Sequence, residues 1–431
     1  MNFEFASASR IIFGPHTIRQ IGVYVNRFGN SALLVCGRSQ ERAASTAEHL
    51  REQGVRVTIF RAEREPTIEM INRGASLARE AACSMVIAVG GGSVIDTGKA
   101  VAALSTNRGK LLDYLEVIGR GEPLVNPPLH FVAVPTTAGT GSEVTKNAVI
   151  FSPEHRVKVS LRSSFMYPAV AVVDPELTLT LPPALTASTG LDAFTQLIEP
   201  FICNKPTPPT DAFCREGLAR ISRALPAAYQ NGADARARED MCMASLFSGI
   251  ALANAKLGAV HGLAGPLGGM IDAPHGTICA ALLPHVMAVN LKALRKRQPQ
   301  SPALLRMAEL GRIMGGAVQT GAWQTGAGQS GAASAGTAGG TPTGQASITA
   351  ASTAAFIAET NPTAAAAQAD AAVEQIRSLC SRFALPSLGK LGLKKTDFAA
   401  VIEKSRHSSS MKGNPLPLTD RELGSVLEAA F

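Results

Sequence analysis

The feature that most limits the fold is an alternation of short β-rich runs with helix-patterned stretches over the first ~180 residues. Ala32–Cys36, Val57–Phe60, Met85–Val89, Phe131–Val134 and Ala169–Val173 read as strands, and 40–53 and 67–82 read as helices between them. Strands separated by helices must run parallel and be covered on both faces, which makes this half an α/β nucleotide-type sheet. After Leu181-Pro182-Pro183 the strand signals nearly vanish, and long Ala/Leu-rich helical patterns continue to the end. The expected architecture is an α/β domain over 1–182 and an all-helical domain over 183–431.

Inside the second half, residues 315–371 are dominated by Gly, Ala, Thr, Ser and Gln with almost no charge. Such composition buries little apolar surface against its ordering entropy, so most of this stretch is expected to be a flexible surface insertion between two helices. It carries the only Trp, Trp323.

Composition excludes several function classes. Hydrophobic residues at 46% and charged residues at 17% suit a globular enzyme. The most apolar stretch, 249–271, carries Lys256 and His261 and reads as a buried helix, so no membrane partner is expected. The opening residues lack the basic and apolar segments of a secretory signal. Seven cysteines are scattered singly without a CxxC pair, as in a reducing, cytoplasmic setting. The net charge of +8 is spread along the chain with short clusters such as 292–297, and aromatics are only 5%, so nucleic acid is not an expected partner.

Strand 85–89 runs into Gly90-Gly91-Gly92-Ser93 and then a helix opening at Val94. Glycines after a strand let the backbone approach an anion, and the helix N-terminus offers free N–H groups to a phosphate. The same triplet also serves ordinary tight turns. Strand 131–134 is followed by Pro135-Thr136-Thr137-Ala138-Gly139-Thr140-Gly141-Ser142-Glu143, a small-residue loop with four hydroxyls. Both loops fall at C-terminal ends of parallel strands, where open α/β sheets bind ligands, and together they point to a nucleotide.

In the helical half, Asp192 and Gln196 share a helix face at i and i+4, and His261 and His275 each lie beside a glycine. One carboxylate with two imidazoles suits Fe(II) or Zn(II), which would polarise a carbonyl oxygen. A locally paired Asp192 with hydrogen-bonded core histidines has the same spacing.

The runs Gly90–Asp96, Pro135–Glu143, Gly190–Ala193, Pro274–Gly276 with Leu283–Val286, and Asn414-Pro415 resemble the iron-containing alcohol dehydrogenases, over the whole chain except the insertion. The resemblance implies the dehydroquinate synthase-like fold and a hydride-transferring enzyme that interconverts an alcohol and a carbonyl with NAD or NADP and a divalent metal, as a homodimer. It implies that Gly91, Gly92 and Ser93 hold the pyrophosphate and that Thr136, Thr137, Thr140 and Ser142 line the nucleotide. Lys158 lies near the cofactor and Asp96 near the nicotinamide, while Asp192, Gln196, His261 and His275 form the metal set; catalysis falls to His261, His275 and Asp96.

Three positions depart from the family pattern. Gln196 replaces a ligand histidine, and a neutral amide is the poorer donor. The related glycerol dehydrogenases use one Asp and two His, which Asp192, His261 and His275 supply, leaving Gln196 as a weak ligand or a supporting donor. Gly265 replaces a second histidine, removing a proton relay. Cys36-Gly37-Arg38 replaces the acid that would bind ribose hydroxyls, so NADP(H) is expected to be accepted. The rivals are a metal-independent oxo-acid reductase like the maleylacetate reductases, a dehydroquinate synthase, and a non-catalytic nucleotide-binding protein.

Overall fold

The structure is a computed structural model that describes residues 2–62, 65–155, 157–320 and 362–431. Eight strands are present among them: β1 (Ile11–Phe13), β2 (Ser31–Cys36), β3 (Arg56–Arg61), β4 (Met85–Gly90), β5 (His130–Pro135), β6 (Asn147–Ser152), β7 (Val157–Arg162) and β8 (Val170–Val173). Six form one sheet in the order β1-β8-β5-β4-β2-β3, with every neighbouring pair parallel. β2, β4 and β8 are buried at every residue, as expected of strands covered on both faces. The five expected strands are all there. β1 has only three residues, too few to show a period, and the hairpin β6–β7 was also not expected; it is antiparallel and half-exposed, outside the main sheet.

The covering helices of the sheet are α1 (Ile21–Val25), α2 (Gln40–Glu52), α3 (Ile68–Glu80), α4 (Gly92–Thr106) and the short α5 (Leu111–Tyr114). Apolar clusters fill both faces, one around Leu33, Val86 and Val101 and the other around Ile21, Leu34 and Ile87. Strand order reverses between β2 and β4, because β2 is followed outward by β3 whereas β4 leads the other way to β5. A switch of this kind opens a crevice at the C-terminal strand ends, where ligands bind.

The described residues beyond β8 contain no strand. Here lie α6 (Pro183–Ile202), α7 (Pro208–Gln230), α8 (Ala235–Asn254), α9 (Ala259–Met270), α10 (His275–Arg297), α11 (Pro302–Thr320), α12 (Pro362–Ser381), α13 (Phe398–Arg406) and α14 (Asp420–Ala430). α6 is buried over nearly its whole length and threads the third apolar cluster, as a helix apolar on all sides must.

Two expectations need correction here. The apolar stretch 249–271 is not one helix: it breaks between α8 and α9, which meet at a bend of 95°. The edges of the low-complexity stretch are also helical, since residues to 320 close α11 and 362–371 open α12, with Ala365 and Ala369 buried. Alanine packs there through close helix approach rather than bulk. The rest of that stretch, with Trp323, lies outside the described residues. Among the described residues one helix, α10, is long and apolar enough by composition to cross a bilayer, but 72% of its apolar window is buried within the protein.

Candidate active site

The first wall of the site is the sheet's C-terminal edge. β4 and β5 are neighbours in register through Gly90 and Pro135, so the Gly91–Ser93 turn and the 136–142 loop stand side by side. Gly91 caps α4 without any side-chain hydrogen bond, so that helix start offers its first N–H groups outward. A Cβ on Gly91 or Gly92 would meet Thr137 or Thr140 at 3.3 and 2.7 Å, which shows how tightly the two loops face each other.

Asp96, one turn into α4, ties this wall together. It accepts hydrogen bonds from the Ser142 hydroxyl and, at 2.9 Å, from the Val149 N–H in β6. The ammonium of Lys99 stands 3.7 Å from it and donates to the Thr145 hydroxyl and the Asn147 carbonyl, each at 2.8 Å. Burial raises the Asp96 carboxyl, pushes Glu143 up to about 7 and pulls Lys99 down to about 8. Lys158 on β7 pairs with Glu65 at 2.6 Å and reaches toward Gly268 of α9, so the hairpin spans to the helical half.

The second wall belongs to the helices. The 136–142 loop lies directly on α8: Gly141 has a left-handed φ of 59°, and a Cβ there would strike Gly249 at 2.3 Å. Only glycine meets both demands. Ser248 Oγ bridges the walls, 3.5 Å from the Gly139 carbonyl and 3.1 Å from Oε1 of Gln196.

Asp192 on α6 is 2% exposed and faces both histidines, 3.5 Å from Nε2 of His261 and 3.9 Å from Nε2 of His275. α9 brings His261 because its first turn is capped across space. Glu199, seven residues beyond Asp192 on the same α6 face, accepts from the Val260 N–H at 2.7 Å and sits 2.6 Å from Nδ1 of His261. With Nδ1–H bound to Glu199, Nε2 is the nitrogen left to serve a cation. Asn414 completes the cap by accepting from the Ala259 N–H, which gives the Asn414-Pro415 motif its place. His275 is the first residue of α10, where a Cβ on Gly276 would collide with the Ser188 carbonyl; that close approach brings α10 against α6. Its side chain is 38% exposed, the most open part of the cluster.

A fourth donor joins them. Sγ of Cys279, one turn beyond His275, lies 3.6 Å from its Nε2, and one donor atom each of Asp192, His261, His275 and Cys279 falls within 4.8 Å of the others. Burial would raise the carboxyl of Asp192, but the neighbouring imidazoles of His261 and His275 hold it below its ordinary value. Burial would lower His261, yet Cys279, Asp192 and Glu199 raise it well above the usual imidazole range. Oδ1 of Asp192 and Nε2 of His261 are buried with no hydrogen-bond partner. Buried polar atoms of this kind cost roughly 1–3 kcal/mol each when unmatched, so their convergence fits a bound divalent cation.

The structure therefore brings Asp192, Gln196, His261 and His275 together, and places the glycine turn and the hydroxyl loop expected to hold a nucleotide on the other wall. Cys279 and Glu199 were missed by sequence reasoning, although spacings of four from His275 and seven from Asp192 put each on the right helix face.

Residues 8–175 match the family Fe-ADH, iron-containing alcohol dehydrogenase, and residues 186–332 match the C-terminal region of the Fe-containing alcohol dehydrogenase family. The chain belongs to the iron-containing alcohol dehydrogenases. It is 32% identical to the 1,3-propanediol dehydrogenase of Klebsiella pneumoniae, covering 100% of this chain and 99% of that protein. It is 36% identical to the NAD-dependent methanol dehydrogenase of Bacillus methanolicus over 69% of this chain and 77% of that one. A crystal structure of 1,3-propanediol oxidoreductase superposes with a TM-score of 0.82 at 32% identity, covering 100% of both chains. The protein is an NAD-dependent alcohol dehydrogenase that interconverts an alcohol and a carbonyl compound, in a family that works with NAD(P) and a divalent metal.

Proposed function

We propose that this chain oxidises and reduces small primary alcohols and their aldehydes in the crevice between a nucleotide domain, 1–182, and a helical metal domain, 183–431. The observation that carries the reading is the cation-ready cluster facing the paired cofactor loops, joined to them by Ser248. The full-length likeness to a 1,3-propanediol dehydrogenase supports the substrate class.

Gly91, Gly92 and Ser93 bind the pyrophosphate through backbone N–H groups, and Thr136, Thr137, Thr140 and Ser142 line the nucleotide. Asp96 is a positioning residue, since both its oxygens hold the chain around the cradle. Lys158 lends positive charge at the hairpin that closes over the crevice. Asp192, His261 and His275 hold the metal; Gln196 is either a weak amide ligand or a hydrogen-bond support for Asp192. When bound, the metal supplies Lewis acidity to the substrate oxygen. Glu199 fixes the His261 ring, and the exposure of His275 marks the side on which substrate enters.

At Gly265, where the family often has a second histidine, a Cβ would meet nothing within 4 Å. That space favours a roomier substrate pocket than in simple alcohol dehydrogenases. Gly37, without a carboxylate at the end of β2, supports acceptance of NADP(H) at least comparable to NAD(H). Supporting a homodimer, the outer edge of β1 has no strand partner among the described residues. All seven cysteines are free, in keeping with a reducing cytoplasmic setting. Nothing in this reading calls for a nucleic-acid or membrane partner.

The test is an NADH and NADPH oxidation screen over aldehydes, ketones and oxo-acids, run with metal analysis of the same sample. Turnover of small aldehydes by metal-containing protein is expected. Exclusive turnover of oxo-acids by metal-free protein would replace this reading with a maleylacetate reductase-like one.

A further inference from the structure

We propose that Cys279 is a ligand of the metal, so that this chain holds its cation with one carboxylate, two imidazoles and one thiolate, and Gln196 is not in the set. The inference rests on the metal-assisted reading above and goes beyond it in naming a sulfur donor.

Donors bound at roughly 2.0–2.3 Å around one tetrahedral centre stand about 3.3–3.8 Å apart. Here His261 Nε2 to Asp192 Oδ1 is 3.5 Å, His275 Nε2 to Cys279 Sγ is 3.6 Å, and His275 Nε2 to Asp192 Oδ1 is 3.9 Å. Two of these separations fall in that range and the third lies just above it, so side chains from three helices, α6, α9 and α10, hold their donors close to the spacing of a shared centre, all within 4.8 Å of one another. Two of these donors, Asp192 Oδ1 and His261 Nε2, are buried without hydrogen-bond partners. Most buried cysteines act as small hydrophobic residues. Cys279 differs because the groups its sulfur meets are imidazole nitrogens.

Gln196 is committed elsewhere. Its Oε1, the atom that would ligate a metal, accepts at 3.1 Å from the hydroxyl of Ser248. In place of a ligand histidine on α6, the chain thus offers a thiol one turn along α10. On binding, the S–H bond breaks, its electron pair forms the sulfur–metal bond, and the proton leaves to solvent. Thiolate is a soft donor, so the set favours zinc over the iron that names the family.

Cobalt(II) reports this directly, because a thiolate bound to it adds a near-ultraviolet charge-transfer band to the visible d–d bands. The full chain is exhaustively chelated and titrated with Co2+ alone. The native protein is expected to show both features. Cys279→Ser is expected to keep the d–d bands, lose the charge-transfer band and weaken Zn2+ competition against Fe2+ by at least about tenfold. Gln196→Ala is expected to keep the charge-transfer band. Cobalt binding by the native protein without that band, or a band that survives Cys279→Ser, overturns the thiolate ligand and leaves the metal reading standing. No cobalt binding at all removes both.

Discussion

The proposed cofactor loops and the cation cluster stand on two walls that meet at Ser248, and both are built for charge, but by different means. The loops offer open N–H groups at the start of α4 on a frame whose own bonds are closed within the chain, with Asp96 tied to Ser142 and Val149. The cluster uses ionisable side chains buried side by side, and leaves Asp192 Oδ1 and His261 Nε2 unmatched. A cradle of the first kind is rigid whether or not its ligand is present, whereas a cluster of the second kind gains stability from its ligand. The two walls should therefore fail separately when altered, and in different observables.

The largest effect is expected at the cluster. His275→Ala should lower turnover by more than about a thousandfold, the ~4 kcal/mol scale of a lost electrostatic contribution to the transition state. Nucleotide binding, measured by fluorescence titration of NAD(P)H, should change less than about threefold, because the cofactor groups lie on the other wall. Comparable losses in both measurements would break the separation.

A smaller effect is expected one shell out. Glu199→Gln leaves a hydrogen-bonding group of the same size but removes the anion that orients His261 and caps α9. Metal affinity, read by competition with a chromophoric chelator, should fall roughly 10–100-fold, with cofactor affinity unchanged. An unaltered metal constant would mean that α9 packing alone orients the ring.

The same contrast explains what the sequence disclosed. Each cofactor loop is contiguous, so Gly90–Ser93 and Pro135–Glu143 could be read where they stand, with the strands before them. The cluster is assembled from α6, α9 and α10, and only its most recognisable members stood out: Asp192 and Gln196 one helical turn apart, and His261 and His275 beside glycines. Cys279 looked like one more scattered cysteine, since nothing in a linear reading distinguishes a thiol facing imidazoles from one facing leucines. Glu199 was passed over because capping across space depends on where the α9 start falls. The hairpin β6–β7 escaped because its strands are only partly buried and pair outside the main sheet.

On the cofactor wall, Gly92→Val should weaken NAD(P)H binding by more than about tenfold, or ~1.4 kcal/mol. Its Cβ would stand 2.7 Å from the Thr140 methyl, so the two loops must part before the substitution fits. Metal content should be unchanged. Loss of metal along with cofactor would show that the 136–142 loop also holds the cluster in place, through its contact with α8.

The last expected effect leaves turnover and binding untouched and is read only as stability: it concerns how the cofactor wall carries its own buried acid. Glu143 is 2% exposed, and burial pushes its carboxyl from an ordinary 4.5 up to about 7, against the pull of a backbone hydrogen bond and the Lys99 charge, which also stands 3.7 Å from Asp96. Between those two values the folded chain keeps the proton while the unfolded chain has released it. Folded protein then binds more protons than unfolded, so this group's contribution to stability is present near pH 4.5 and is lost as pH rises to about 7. Glutamine cannot ionise, so Glu143→Gln should gain on the native chain across that window by at most about 3.4 kcal/mol, the full rise from 4.5 to about 7 with the pull of Lys99 already included. The check is the difference in urea midpoint between variant and native chain at pH 5 and at pH 8, which should move in the variant's favour at the higher pH. Parallel midpoints would mean that Glu143 stays ionised beside Lys99, and the cofactor wall would then hold a buried ion pair, closer in kind to the cluster opposite.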